Sequence, residues 1–377
     1  MCPRFLFFLL FASACAAQQP AVSDHGMSTT QHSHTHDGFM QGGMHHTIAQ
    51  GVTFEARSDE KSHTITLRVG PMTLPADTSH MKMPQPPDLV WTIAMTGWLL
   101  AYHPKLVDAA GNSVPGVVLH HVAFWNENRS DFICPNKEEH IFGAGGELTD
   151  WTQIPGFGYR VETGDQIRIE TMIHNPTATS YEKAFLEISI PYLDDATPAP
   201  VKNFYPAWMD VASCGNSGYD LPPGPSKKVG SVPVKYSGIL LGVGGHMHDY
   251  GQQLTLGTPF LVESFLKDTD GGAPRTESSL RSKTIAELTA KTDAKGHLLA
   301  VPVVTFFQTG GYHIDARQKL TVTATYNNPT GKLLRDGAMG IVVGYFVPQD
   351  PAALNSLRHP PISPAPPHDM SKMSHDH

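Results

Sequence analysis

At 377 residues, 40% of them hydrophobic and 16% charged, the chain has the length and apolar content for two cores of about 120 to 150 residues each. A net charge of -8 with no basic cluster argues against a nucleic-acid partner. The 34 glycines and 31 prolines are the punctuation of many short strands and turns.

The chain opens with one basic residue, Arg4, ahead of the apolar run Phe5 to Phe11 and the small residues Ala12-Ser13-Ala14-Cys15-Ala16-Ala17. Residues 1–17 therefore have the pattern of a secretory signal peptide, shorter than the ~20 residues of a membrane span. A secreted or periplasmic location follows as the expectation, with membrane attachment only if Cys15 is lipidated. No other stretch is a candidate span. Removing the signal leaves Cys134 and Cys214, which in an oxidising compartment would often pair.

Residues 18–50 are polar and aperiodic, with His25, His32, His34, His36, His45 and His46 interleaved with Met27, Met40 and Met44. The C-terminal run 351–377 repeats the theme: a proline-rich tether, Pro360 to Pro367, precedes His368, Met370, Met373, His375 and His377. Such tracts cannot form a core and read as disordered tails. They are either plainly solvated or a loose copper trap, since imidazole and thioether together suit that metal.

Between the tails the pattern is β. In 51–195, His63 to Val69 and Gln166 to Ile173 alternate apolar and polar residues, separated by turn residues at short intervals. Residues 196–230 hold Pro198, Pro200, Pro206, Pro222, Pro223 and Pro225 and read as a linker. A second β-rich segment spans 231–350, and only 271–295 has room for a short helix. The expected fold is all-β, two tandem antiparallel β-sandwich domains on either side of the linker.

The chemistry concentrates in histidines. In Gly244-Gly245-His246-Met247-His248-Asp249-Tyr250-Gly251, two histidines two apart share one face of an extended strand and can chelate one ion. His120 and His121 are neighbours within an apolar strand, so they can share an ion only at a strand end or bulge. Taken alone, the pair reads more readily as one core and one surface histidine than as ligands. His174 ends a strand on the face away from Ile167, Ile169 and Ile173, which makes a three-histidine set with His120 and His121 reasonable for copper or zinc. Met339 lies in an apolar strand as a core methionine would, yet its thioether would also suit Cu(I) beside His246 and His248. His297 and His313 read as ordinary polar residues.

In these motifs the chain resembles the copper type II, ascorbate-dependent monooxygenases, the peptidylglycine α-hydroxylating and dopamine β-monooxygenase family. The resemblance covers most of 65–347. It is carried by Leu119-His120-His121-Val122, Gly156 to Glu162 leading into Ile173-His174, Leu221-Pro222-Pro223-Gly224, His246 to Gly251, and Asp336-Gly337-Ala338-Met339. It implies two jelly-roll-like domains, each holding one copper, facing one another across a solvent-filled cleft. His120, His121 and His174 would hold the electron-transfer copper, and His246, His248 and Met339 the oxygen-binding copper at the catalytic centre. The implied reaction hydroxylates a C–H bond of a small-molecule substrate with one atom of O2. The other atom leaves as water, and ascorbate or another reductant restores both coppers.

The departures bear on substrate. Where peptidylglycine members grip a carboxylate, this chain has Gly244, Ile341 and Val343, an apolar lining that cannot make a charge-assisted contact. Peptide amidation is therefore not expected, and an apolar or small substrate is. Asp249 and Tyr250 are candidate contacts beside the site, or simply turn residues. The family's several disulfides are reduced here to at most Cys134–Cys214, which would tie the first domain to the linker. The competing reading is a copper-binding, storage or delivery protein without oxygenase turnover; a β-sandwich whose histidines bind nothing is a third.

Overall fold

The computed structural model describes residues 47–148, 150–196, 201–266 and 275–360. Residues 1–17, expected to be a signal peptide, with Cys15, and most of both His/Met-rich tracts lie outside these residues. Among the described residues there is no α-helix, only three single-turn 3-10 segments, and no helix long and apolar enough to cross a membrane. The rest is strand and turn, as the alternation of the sequence requires. Thr64–Leu74 and Tyr181–Asp194 each bury every second residue over most of their length, the signature of a sheet with one wet face.

Two apolar cores form. The first gathers residues such as Leu67, Leu99, Phe124, Ile167, Ile169 and Leu186, the second Leu240, Leu254, Leu288, Val322 and Phe346. Two four-stranded antiparallel sheets flank them. One runs Leu89–Thr92, Gln166–Ile173, Leu119–Ser130, Glu138–Gly145; the other runs Gly224–Pro233, Lys319–Asn328, Gly251–Leu266, Arg275–Thr289. The helix for which 271–295 has room is not formed over 275–289, which is strand paired along its length to Gly251–Leu266. Ala286 and Leu288 alternate into the core, a period-2 pattern that outweighs the weak helical spacing of the segment.

The two halves share a sheet of eleven strands. The strand Lys202–Asp210 is its seam. Lys202, Asn203 and Phe204 pair in parallel with Phe157–Val161 of the first half, while Tyr205 to Asp210 pair antiparallel with Ile341–Pro348 of the second. Residues 196–230, proline-rich as they are, thus contribute the strands Lys202–Asp210, Tyr219–Leu221 and Gly224–Pro233. The prolines are accommodated in the ladders, Pro206 opposite Tyr345 and Pro225 opposite Asn327. Leu241, Ile341 and Val343 of the second half bury their side chains in the first core, roughly 1.5–3 kcal/mol each for full burial.

Cys134 and Cys214 form a disulfide with Cα atoms 5.6 Å apart. It joins the turn after Leu119–Ser130 to the turn after the seam strand. Both chain ends of the described region are also anchored. Thr47 and Ala49 pair with Gln85, and Arg358 makes ion pairs with Asp165 and Glu162 of the first half at 2.6 and 2.8 Å.

Candidate metal centre

The 3-10 turn Gly116–Val118 delivers the chain into the strand Leu119–Ser130. A register shift between Leu119 and His121, in the pairing with Gln166–Ile173, places a bulge at His120. That bulge turns two successive imidazoles to one side, with their Nδ1 atoms 3.0 Å apart. His174 follows the neighbouring strand at once, its backbone N–H donating to Val118 O at 3.1 Å, and its ring centroid is 5.1 Å from that of His120. From the second half, His246 ends the strand Gly238–His246 and His248 lies two residues on, ring centroids 5.4 Å apart.

These groups meet. The rings of His120 and His248 are 4.6 Å apart, and ligand atoms of His120, His121 and His248 lie within 4.8 Å of one another. The open cleft implied by the family resemblance is not present between them, because the shared sheet and the interdigitated core draw the halves together.

Two imidazoles on one ion, each nitrogen about 2.0–2.1 Å from it and separated by 90–120°, have ring centroids about 4.5–5.5 Å apart. The pairs His120–His121, His120–His174, His120–His248 and His246–His248 lie at 5.1, 5.1, 4.6 and 5.4 Å. The donor chemistry fits a metal on independent grounds. His246 Nδ1 is 3.0 Å from Glu147 Oε1, while the buried Nε2 atoms of His246 and His248 have no hydrogen-bond partner. A carboxylate on one ring nitrogen fixes the tautomer and turns the other nitrogen's lone pair outward, as in carboxylate–histidine–metal arrangements.

Burial also disfavours protonation of four of these rings. The His121 imidazole is pushed down to about 3, first by desolvation and then by repulsion from His246, His80 and His174. His174 falls to about 4, again by desolvation first, then by repulsion from His80. His120 and His248 are held well below the ordinary range by the same causes. A metal binding at these rings between pH 8 and 5 displaces no proton from them. Copper retention by His120, His121, His174 and His248 is therefore expected to stay flat over that interval, whereas exposed histidines, titrating near 6.5, release copper across it. Dialysis of the loaded protein at stepped pH checks this. Release in step with an exposed imidazole would show the metal to be elsewhere.

Met339 reaches the centre through Tyr326. The buried phenol accepts from His248 N at 3.0 Å and Met339 N at 3.1 Å, and it donates to Met339 O. The Met339 side chain itself packs into the first core. Asp249 accepts from Leu298 N at 2.8 Å and Tyr250 N donates to Gly296 O at 2.8 Å, so both brace the 293–298 loop. His297, on that loop, has Nδ1 2.9 Å from Asp293 Oδ2, and its charge would bear on His174. His313 pairs with Ile239 on the outer strand Tyr312–Ile314.

A cavity of about 20 Å³ opens beside His121 and His246, walled by Val122, Ala144, Trp151, Trp208 and Val343. That is room for about one water or a comparably small molecule. His140 closes its far side, fully buried, with neither ring nitrogen hydrogen-bonded and the Trp208 ring 3.6 Å away. At Gly244 a Cβ would come within 2.7 Å of the Trp151 ring, so an indole occupies the space beside this position. Gly145 is equally constrained, since a Cβ there would meet His246 at 2.5 Å and Glu147 at 2.7 Å.

Sequence reasoning missed Glu147, His80, His140 and Tyr326. Glu147 stands 99 residues from His246 and carries no local signal. His80 sits in the Met-flanked stretch Ser79-His80-Met81-Lys82-Met83, which could have been read with the other histidines. A Glu147→Ala protein is expected to bind copper about 10- to 100-fold more weakly, because His246 loses the partner that orients it. Competition against a chelator of known affinity measures this, and an unchanged affinity would remove Glu147 from the centre.

No family model matches the sequence. The chain is similar to a probable copper-dependent oxygenase, M1, of Phoma sp., at 28% identity over 146 residues, 36% of this chain and 36% of that protein. It is also similar to a probable copper-dependent oxygenase, clz3, of Cochliobolus lunatus, at 28% over 145 residues, 36% of this chain and 45% of that protein. The chain spans less than half the length of these curated relatives. Its likeness to the solved structure of PNGF-II covers 85% of this chain and 64% of that one, at 9% identity and a TM-score of 0.32, and carries no argument.

Proposed function

We propose that this protein is an exported copper-dependent oxygenase that hydroxylates a C–H bond of a small, apolar substrate, using O2 and a reductant such as ascorbate. The observation that carries this reading is the convergence of His120, His121 and His174 with His246 and His248, two of them with buried, unpartnered Nε2 atoms. The similarity to two probable copper-dependent oxygenases supports it. In this reading two coppers bind per chain. His120, His121 and His174 would hold the electron-transferring ion, and His246 and His248 the oxygen-reacting one, with the Met339 thioether recruited from the first core as third ligand.

Copper bound there supplies the one-electron steps of oxygen reduction. The protein does the rest. Glu147 holds the Nδ1 proton of His246 and aims Nε2. Tyr326 fixes the backbone of His248 against that of Met339. The apolar wall of Val122, Ala144 and Val343 keeps bulk water from the small space beside His121 and His246.

The narrowness of that space favours a second reading, copper capture or delivery without turnover. One experiment separates the two. The full chain is loaded with Cu(II), washed with chelator to strip loosely held metal, and mixed with ascorbate in an oxygen electrode against a panel of small apolar substrates. Two retained coppers, with oxygen uptake that rises with substrate, support the oxygenase. Retained copper without substrate-linked uptake supports capture, and no retained copper overturns both.

A further inference from the structure

We propose that the small cavity beside His121 and His246 is the pocket for a two-atom oxygen ligand, O2 or its reduced forms, and that His140 supplies its hydrogen bond; this rests on the oxygenase reading above. His140 belongs to neither ligand set and to none of the motifs that carry the family resemblance. It is 1% exposed, and both of its ring nitrogens are buried without a hydrogen-bond partner. One unpaired buried polar atom is already costly. Two on a single ring mark a site that a further group completes.

The strand is shaped to place this ring. Where Leu119–Ser130 pairs with Glu138–Gly145, Phe124 faces Phe142 and Trp125 faces His140, so Ile141 is an extra residue in a bulge. The bulge lets His140 and Ile141 both be buried although they are neighbours on one strand. The His140 ring then sits 3.6 Å from the Trp208 ring and 4.4 Å from that of Trp125, nearly perpendicular to the latter. On a third side, a Cβ at Gly143 would come within 2.9 Å of His140 Cε1, so the glycine leaves room that the ring fills. A ring held this way has little freedom to turn toward another partner.

The space it borders decides what that partner is. Toward His121 and His246 the cavity holds about 20 Å³, above the roughly 10–15 Å³ that one water needs. On the opposite side of His140 and Trp208, toward Cys134 and Cys214, a second space holds about 10 Å³, at the bottom of that range. A partner for the ring therefore fits on the metal side. The lining there includes His246, whose Nε2 is also buried and unpartnered, and is otherwise mostly apolar, with Val122, Ala144, Trp151 and Val343. A charge on His121 or His246 would be felt at His140. Desolvation holds the His140 imidazole well below the ordinary range, against an upward pull from its own backbone. The neutral ring carries one N–H donor and one lone pair. O2 enters an apolar space at little cost and becomes a hydrogen-bond acceptor once electrons from the reductant reach it, so an N–H fixed beside it favours the reduced form. His140 keeps its proton throughout.

Two measurements test this, one of them free of metal. A high-resolution crystal structure of the metal-free full chain is expected to show an ordered water in the cavity, about 2.7–3.2 Å from a His140 ring nitrogen. A dry cavity, or His140 nitrogens bonded only to protein groups or to water on the disulfide side, overturns the proposal. The second is infrared spectroscopy of the reduced, copper-loaded chain with CO as the two-atom probe. The CO stretch is expected to move to higher frequency in His140→Phe, which keeps a ring but loses the N–H. It should return toward the unsubstituted value in His140→Gln, with copper content unchanged in both. An unmoved stretch in folded His140→Phe protein, or no CO uptake by the loaded chain, overturns the proposal and leaves the oxygenase reading to its own test. Loss of all copper to a chelator wash overturns that reading and the proposal with it. Should His140→Phe fail to fold, the crystal structure decides.

Discussion

A His120→Ala protein is expected to hold less copper at both ligand sets and to show no oxygen uptake above the ascorbate background. The reason is position. The ring of His120 lies 4.6 to 5.1 Å from those of His80, His121, His174 and His248, so it has ring neighbours from both halves. Losing a partner that only orients a ligand costs about 10- to 100-fold in affinity, and losing a ligand at the junction should exceed that. Copper counting after a chelator wash reads the result. Two independent sites far apart would leave about one copper bound in this variant, and that outcome would break the composite centre into separate parts. The substitution removes a half-buried ring hydrogen-bonded to the neighbouring ring of His121, so the fold should survive, as circular dichroism and the thermal midpoint can verify.

The second large effect concerns stability. Opening the Cys134–Cys214 bond, by reduction or by a double serine substitution, is expected to lower unfolding free energy by about 4.5 kcal/mol. This is the chain-entropy value for a cross-link spanning 80 residues. The bond closes a loop that contains His140, Glu147, His174 and the strands Phe157–Val161, Tyr181–Asp194 and Lys202–Asp210 of the shared sheet, so its loss loosens the unfolded chain while leaving every metal-ligating side chain in place. Urea midpoints with and without reductant measure the difference. A shift below about 1 kcal/mol would mean that the unfolded chain is already held compact by other contacts.

The β architecture was legible because period-2 burial is written directly in the residues, as in Thr64–Leu74 and Tyr181–Asp194. The helix allowed for 271–295 misled because a short polar segment carries little periodicity, and its strand state over 275–289 depends on a partner that only the folded chain supplies. The histidines stood out because few structural roles call for His-His and His-x-His in apolar strands. What local pattern could not carry was distance. Glu147 finds His246 across 99 residues, Tyr326 finds His248 across 78, and Gln85 finds Ile173 across 88. Each is an ordinary residue in its own sequence neighbourhood and acquires its role from the sheet that brings it to its partner. Likewise, the closeness of the two halves follows from the seam strand, which proline content disguised as a spacer.

That seam has a consequence for how the metal gets in. A strand hydrogen-bonded in parallel to one half and antiparallel to the other leaves no joint about which the halves can swing apart. Severing the chain near residue 200 would give two fragments, each with a bare strand edge prone to association. The histidines of both halves are thus assembled by the same event that completes the sheet. Metal entry is then expected to depend on folding or on local side-chain movement, not on the halves opening.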